Sequence, residues 1–359
     1  MRESMSKFFS EKFSSLTPYT PGEQPKERKY VKLNTNELPF SPHPSVLKAV
    51  QGEASRLQLY SDPENSRLIE MAAKTWGVKK TQLVATNGSD EILQFAFMAF
   101  CDKEHPIVFP DISYGFYEVF AQLHGIPYEK IPLKEDFSVD YRDYVGIGKN
   151  IVIANPNAPT GLCLSVAEVE EIVKSNPDNV VVIDEAYVDF GGESCVPLID
   201  KYDNLLVTQT FSKSRGLAGA RLGLGFACES LIADIQTIRY STNPYNVNRM
   251  TEAAGVAALE ENEYFVNNVK MIMETRAYVK ATLESWGFIV LDSKTNFLFA
   301  KTDAIDGGEL YVKLKERGVL VRHFTGERIK QFNRITIGSK EEMDIFLTAV
   351  KDILKEKEA

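Results

Sequence analysis

Cysteine is scarce in this chain. Four stand among 359 residues, at positions 101, 163, 195 and 228. They are too few for a disulfide framework, and no two sit at metal-ligand spacing. Such usage fits a reducing compartment, so a cytoplasmic location is expected. Long apolar runs are lacking too: none approaches the ~18 residues that a bilayer-crossing helix needs. The opening stretch MRESMSKFFSEKF is charged throughout and has no apolar signal core. Positive charge is in deficit, with 41 Lys and Arg against 50 Asp and Glu and a net charge of −9. That balance argues against a nucleic-acid partner, which usually calls for a basic surplus. Any anion bound here must be gripped by local groups. No G-x-G-x-x-G follows the first apolar run, and no acidic residue sits where a ribose partner belongs, which disfavours a nucleotide-binding oxidoreductase. Internal repeats and low-complexity segments are absent.

What is present is an ordinary globular composition, 44% hydrophobic and 25% charged, in a chain long enough for two or three domains or one large domain with a satellite. Residues 1–45 read as an N-terminal arm, because prolines at 18, 21, 25, 39, 42 and 44 preclude a long helix. Residues 46–248 alternate short apolar runs with helical patterns. The runs are LVAT (83–86), PIVF (106–109), NIVIA (150–154), VVVID (180–184), LLVTQT (205–210) and GLGFA (223–227). Continuous β-branched runs of this length suit strands buried on both faces, so a doubly wound, mostly parallel α/β sheet is expected. Residues 249–359 give a long helical stretch over about 249–285, then NFLFA (296–300), a helix near 307–317, VLVRHF (319–324), RITIG (334–338) and a C-terminal helix from about 340. This reads as a smaller α+β domain with a connecting helix, against which the arm packs.

In open α/β sheets, ligands bind outside the carboxyl ends of the strands. LVAT is followed by NGSDE (87–91), a turn and helix start whose free N–H groups suit a phosphate, or else an ordinary N-cap by Ser89. NIVIA is followed by NPNAPTG (155–161), a rigid loop that fixes the Asn157 amide. VVVI runs into DEAY (184–187), which puts the Asp184 carboxylate at the end of an apolar strand with Tyr187 nearby. Burial there calls for a cationic partner. LLVTQ leads into TFSKSRGLAGARLG (210–223), which carries Lys213 and Arg221 on a small-residue turn. Each has a bland reading alone, as cap, turn or surface charge. Together they form the set a phosphorylated pyridine aldehyde needs: a Schiff-base lysine, a carboxylate for the ring nitrogen, and an arginine with N–H groups for the phosphate.

At these residues the chain resembles the fold-type I pyridoxal-phosphate-dependent aminotransferases of class I/II. Within them it is similar to the histidinol-phosphate aminotransferase branch. The likeness extends to LTPYTPG (16–22), KLNTNELP (32–39), YSDP (60–63), PYNVN (244–248) and RITIG (334–338). The resemblance implies pyridoxal 5'-phosphate as cofactor and Lys213, Asp184 and Tyr187 as catalytic residues. Asp184 pairs with the pyridine nitrogen, while Asn157 and Tyr187 contact the ring hydroxyl. Thr210, Ser212, Arg221 and the Ser89–Asp90 backbone hold the phosphate, and Tyr114 stacks on the ring. Tyr60 is expected to cross a homodimer interface to the partner's cofactor, so that the two subunits share their sites. Tyr19, Asn36, Arg322 and Arg334 match the substrate positions. Two departures stand out: His323 follows the strand arginine, and Ser89 replaces an alanine or glycine.

The resemblance implies transamination of histidinol phosphate with 2-oxoglutarate, in histidine biosynthesis. One substrate bears a phosphate where the other bears a carboxylate, and paired arginines serve both. An aromatic amino acid aminotransferase or a threonine-phosphate decarboxylase of the same fold remains open. An aminotransferase-like transcription regulator would need a basic helix-turn-helix domain, for which the proline-rich arm is unsuited.

Overall fold

The computed structural model describes residues 6–14 and 16–358. The arm forms one 3-10 turn, Glu11–Phe13, and a two-residue strand β1 (Val31–Lys32). The other described residues of the arm up to His43 are irregular, as its prolines require, and a helix begins at Pro44.

Seven strands make the central sheet: β2 (Leu83–Thr86), β3 (Ile107–Pro110), β4 (Tyr128–Ile131), β5 (Asn150–Ala154), β6 (Val181–Asp184), β7 (Leu205–Thr210) and β8 (Gly223–Ala227). Their order is β2-β8-β7-β6-β5-β3-β4. Only β8 runs antiparallel to its neighbours. The mostly parallel sheet expected from the apolar runs is therefore present. Side chains alternate between its faces. Ile151 and Ile153 of β5 join the core under the helices Ser66–Trp76, Val166–Ser175 and Arg249–Glu260. Val152 and Ala154 join the opposite core, under Ser89–Phe100, Phe116–His124 and Glu229–Thr242. Burial on both faces explains why these strands read as unbroken apolar runs.

A second sheet, antiparallel throughout, has the order β12-β13-β10-β9. It consists of β9 (Ile289–Val290), β10 (Phe297–Lys301), β12 (Arg322–His323) and β13 (Asn333–Thr336). The helices Asn262–Ser285, Gly307–Glu316 and Lys340–Glu358 contribute Ile272, Leu310 and Phe346 to its core. Between its strands lies β11 (Val319–Leu320), which pairs instead with β1 of the arm, in parallel.

Three details differ from the sequence reading. β4 went unseen because it is an edge strand whose middle residues, Glu129 and Lys130, are exposed and charged. The stretch 249–285 is two helices that part at Glu261, not one. VLVRHF is likewise divided at Val321, its halves pairing with different strands.

The arm touches both parts of the molecule. Thr17 N donates to Gln122 Oε1 at 3.3 Å, and Tyr19 stacks on Phe116 with ring centroids 4.3 Å apart. Farther along, Glu23 accepts from Lys315 and Tyr311. Among the described residues no helix is long and apolar enough to cross a membrane.

Candidate active site

The parallel strands end on one rim, where β8 begins. Asp184 is the last residue of β6 and is only 4% exposed. Its Oδ2 accepts the Tyr117 hydroxyl at 2.9 Å, and its Oδ1 accepts from Thr208 Oγ1 and the Ala186 N–H, each at 3.3 Å. Burial pushes the carboxyl up to about 6, and the Tyr117 hydrogen bond opposes that rise. A cation placed beside it offsets the cost of ionisation.

A cavity of about 170 Å³ opens over Asp184. Tyr187, Lys213, Thr210, Ser212 and Arg221 are in its wall, with Ser89, Asp90 and Tyr114. At its far end the Arg221 guanidinium donates to Ser212 Oγ at 3.2 Å and to Asp90 Oδ2 at 3.1 Å. Tyr114 donates to the other Asp90 oxygen at 2.7 Å, and burial beside that carboxylate raises the phenol's pKa. Ser89 is the first helical residue rather than the N-cap; the cap is Gly88, at φ +80°. A Cβ on Gly88 would lie 2.5 Å from Arg221 Nη2, and one on Gly223 would clash with the Ser89 N–H. Glycines thus let two backbones close around a helix N-terminus, an anion-binding arrangement. The motif PYNVN supports it from outside: Asn246 donates to Glu91 Oε2 at 2.5 Å, and the same oxygen accepts the Asn87 N–H.

A second cavity, of about 510 Å³, meets the first at Lys213, Tyr187 and Tyr114. Lys213 Nζ lies 3.4 Å from the Thr35 carbonyl oxygen and 5.6 Å from the centre of the Tyr187 ring. Asn36, at φ +59°, donates from Nδ2 to Tyr187 Oη at 2.8 Å and accepts from Thr336 Oγ1 at 2.9 Å. Tyr19, Arg322 and Arg334 complete this wall. Arg322 donates to the Thr20 and Pro21 carbonyls at 3.3 Å each, and Arg334 to the Asn34 carbonyl at 2.9 Å. The Arg334 Nε is buried with no hydrogen-bond partner in the structure, and desolvation lowers the guanidinium's pKa.

Two singled-out residues lie outside both walls. Asn157 is buried; its Nδ2 donates to the Ile112 carbonyl and Thr160 Oγ1, and its Oδ1 accepts from Ser113 at 2.8 Å. Tyr60 is 78% exposed and stacks on Tyr245 at 4.5 Å. His323, the departure noted after the strand arginine, turns away and stacks on Tyr311. Sequence reasoning missed Tyr117 and Thr208. Tyr117 follows Tyr114 by three residues, and their rings meet edge-on at 5.6 Å. Thr208, two residues before Thr210 on β7, lies beside Asp184 across the ladder.

The aminotransferase class I and II family matches residues 28–350. Histidinol-phosphate aminotransferase from Brachyspira hyodysenteriae is 48% identical over 353 residues, covering 98% of this chain and all of that one. Histidinol-phosphate aminotransferase 1 from Pseudomonas fluorescens is 46% identical over 350 residues, covering 97% of this chain and all of that one. Among solved structures, histidinol-phosphate aminotransferase from Sinorhizobium meliloti in complex with pyridoxal-5'-phosphate superposes with a TM-score of 0.89. It is 24% identical, and the match covers 98% of this chain and 99% of that one, a likeness of fold. The rim of charged and glycine-bounded groups, the sheet order and these full-length matches agree: the chain belongs to the class I and II aminotransferase family.

Proposed function

We propose that the protein is a pyridoxal-phosphate-dependent histidinol-phosphate transaminase. It moves the amino group of histidinol phosphate to 2-oxoglutarate, giving imidazole-acetol phosphate and glutamate, in histidine biosynthesis. The observation that carries this reading is one lysine facing two cavities, one ending in a glycine-bounded helix N-terminus with Arg221, the other holding Arg322 and Arg334.

The first cavity fits the cofactor. Asp184, buried and with no basic side chain bonded to it among the described residues, suits a protonated ring nitrogen. Arg221, Ser212, Thr210 and the Ser89 and Asp90 amides suit its phosphate, and Tyr114 flanks the ring. Pyridoxal phosphate bound there supplies an electron sink for the substrate carbon that loses its proton. Lys213 Nζ would take that proton from the α-carbon and pass it to the cofactor carbon that carried the aldehyde, as general base and then acid. Tyr187, held by Asn36, presents its hydroxyl to the same space. Asn157 is assigned to the ring hydroxyl; in the structure its amide is engaged by Thr160 of its own loop and by Ile112 and Ser113. In the second cavity Arg322 and Arg334 grip the phosphate or the distal carboxylate, with Tyr19 covering the substrate.

The active form in this proposal is a homodimer, with Tyr60 reaching the partner's cofactor phosphate. The exposure of its ring supports this, since a bare stacked tyrosine pair suits an interface.

The test is turnover and visible absorption of the purified protein. Histidinol phosphate is expected to exceed phenylalanine and threonine phosphate in kcat/KM. Equal turnover of phenylalanine, or release of carbon dioxide from threonine phosphate, overturns the substrate assignment. In Lys213→Ala the absorption of the lysine-bound chromophore should disappear; an unchanged spectrum overturns the role of Lys213.

A further inference from the structure

Next to the two arginines stands an aromatic ring that none of the assignments above uses. Phe324 lies two residues after Arg322, just past the end of β12, with its ring near the Arg322 guanidinium while His323 stacks on Tyr311 instead. The ring centre is 5.7 Å from the Arg322 guanidinium carbon and 5.8 Å from that of Arg334. Among the described residues, no hydrogen bond ties either guanidinium to a carboxylate. Each instead donates to main-chain carbonyls, at Thr20, Pro21 and Asn34. Two like charges facing one cavity repel each other. An aromatic face near both supplies negative potential without neutralising either, as a carboxylate would, and Arg334 has a second such face in Phe297 at 5.2 Å. Phe299 packs edge-on against the ring at 6.1 Å, which limits its rotation. Phe324, with Ser113 and Pro159, lines both the 510 Å³ cavity and a neighbouring one of about 350 Å³ that Ile112, Arg328 and Ile329 also line.

We propose that Phe324 is a positioning residue that sets the spacing of the Arg322 and Arg334 guanidiniums and so determines the preference for a phosphorylated amine. The reading rests on the transaminase assignment above. The ring holds the pair ready for a phosphate whose oxygens bridge both forks. Losing it lets the guanidiniums separate, and the wall between the two cavities thins. Binding of the anion suffers, while the chemistry at Lys213 does not.

The experiment compares the parent holoenzyme with Phe324→Leu, Phe324→Met and Phe324→Tyr. Two quantities are read: steady-state kinetics with histidinol phosphate, and calorimetric binding of inorganic phosphate. The leucine and methionine variants should raise KM and the phosphate dissociation constant about tenfold each, with kcat within about twofold. Phe324→Tyr, which keeps the ring, should stay within about twofold of the parent on both. Visible absorption of the bound cofactor should be unchanged in all three. Unaltered phosphate binding in both aliphatic variants overturns the proposal. So does a fall in kcat together with loss of cofactor, which marks a structural role. If one aliphatic variant does not fold, the other decides. Failure of the parent to turn over histidinol phosphate refutes the transaminase reading instead, while the phosphate measurement still judges Phe324.

Discussion

The Tyr117 hydroxyl, itself fully buried, donates to Asp184 Oδ2 at 2.9 Å at the floor of the smaller cavity. This bond favours the ionised carboxylate against the burial that raises its pKa to about 6. In the assignment made here, the cofactor's ring nitrogen needs that carboxylate ionised. Affinity of the cofactor-free protein for pyridoxal phosphate should therefore fall as pH drops below about 6. Tyr117→Phe removes the opposing bond, so the acid limb should move upward by roughly one pH unit. Titration of cofactor binding across pH 5–8 checks this, and an unmoved limb denies Tyr117 the role.

The same carboxyl makes a stability prediction of definite sign. Its folded pKa of about 6 lies above the ordinary 3.8. Between those values the folded chain binds more protons than the unfolded one, so stability falls as pH rises through that window. The cost, complete above about pH 6, is on the order of 3 kcal/mol. Asp184→Asn has no such titration. Cofactor-free parent should lose stability relative to Asp184→Asn between pH 4 and 6.5, and urea unfolding of both at each pH measures it. Parallel pH profiles for the two proteins contradict the burial argument.

How far the site was legible depended on what each residue does. Asp184 ends a buried strand, and Lys213 and Arg221 lie in the short turn between two others, where charge needs a reason, so pattern alone raised the question. The sheet was equally readable because burial on both faces leaves unbroken apolar runs. Tyr117 and Phe324 were not readable, since an aromatic residue on a helix or strand is ordinarily core. Only the three-dimensional approach of their partners separates them from core. β4 was lost for a related reason: an edge strand solvated on its outer side has no apolar signature. Tyr60 was singled out by resemblance alone, one among fifteen tyrosines.

The approach of Gly88 to Arg221 leads to a third prediction. Gly88 holds φ +80°, and an added Cβ would lie 2.5 Å from Arg221 Nη2. The guanidinium can swing aside, but doing so removes it from Ser212 and from the assigned phosphate position. The backbone strain remains whatever the side chain does, at about 1–2 kcal/mol. Gly88→Ala should therefore lower the thermal stability of the cofactor-free protein slightly and weaken pyridoxal phosphate binding by a further tenfold or so. Differential scanning with and without cofactor separates the two effects. If cofactor raises the melting temperature of parent and variant equally, the swing of Arg221 is without consequence and its phosphate role is wrong.

The proposed homodimer makes a prediction that no single-chain account shares. Suppose each site takes Lys213 from one subunit and Tyr60 from the other. Lys213→Ala protein then lacks the lysine in every site, and Tyr60→Ala protein lacks the interface tyrosine in every site. In a mixed dimer, however, the two lesions fall in the same site. The other site combines Lys213 of the Tyr60→Ala subunit with Tyr60 of the Lys213→Ala subunit and is complete. Isologous two-fold pairing requires this distribution. Denaturing the two variants together and refolding them at equal concentration should give half mixed dimers, hence about one quarter of the parent's active sites. Activity should climb to roughly that fraction of the parent's, above the mean of the two variants refolded separately. Recovery of nothing beyond that mean means Tyr60 serves its own subunit or no site at all, and the shared-site arrangement is refuted.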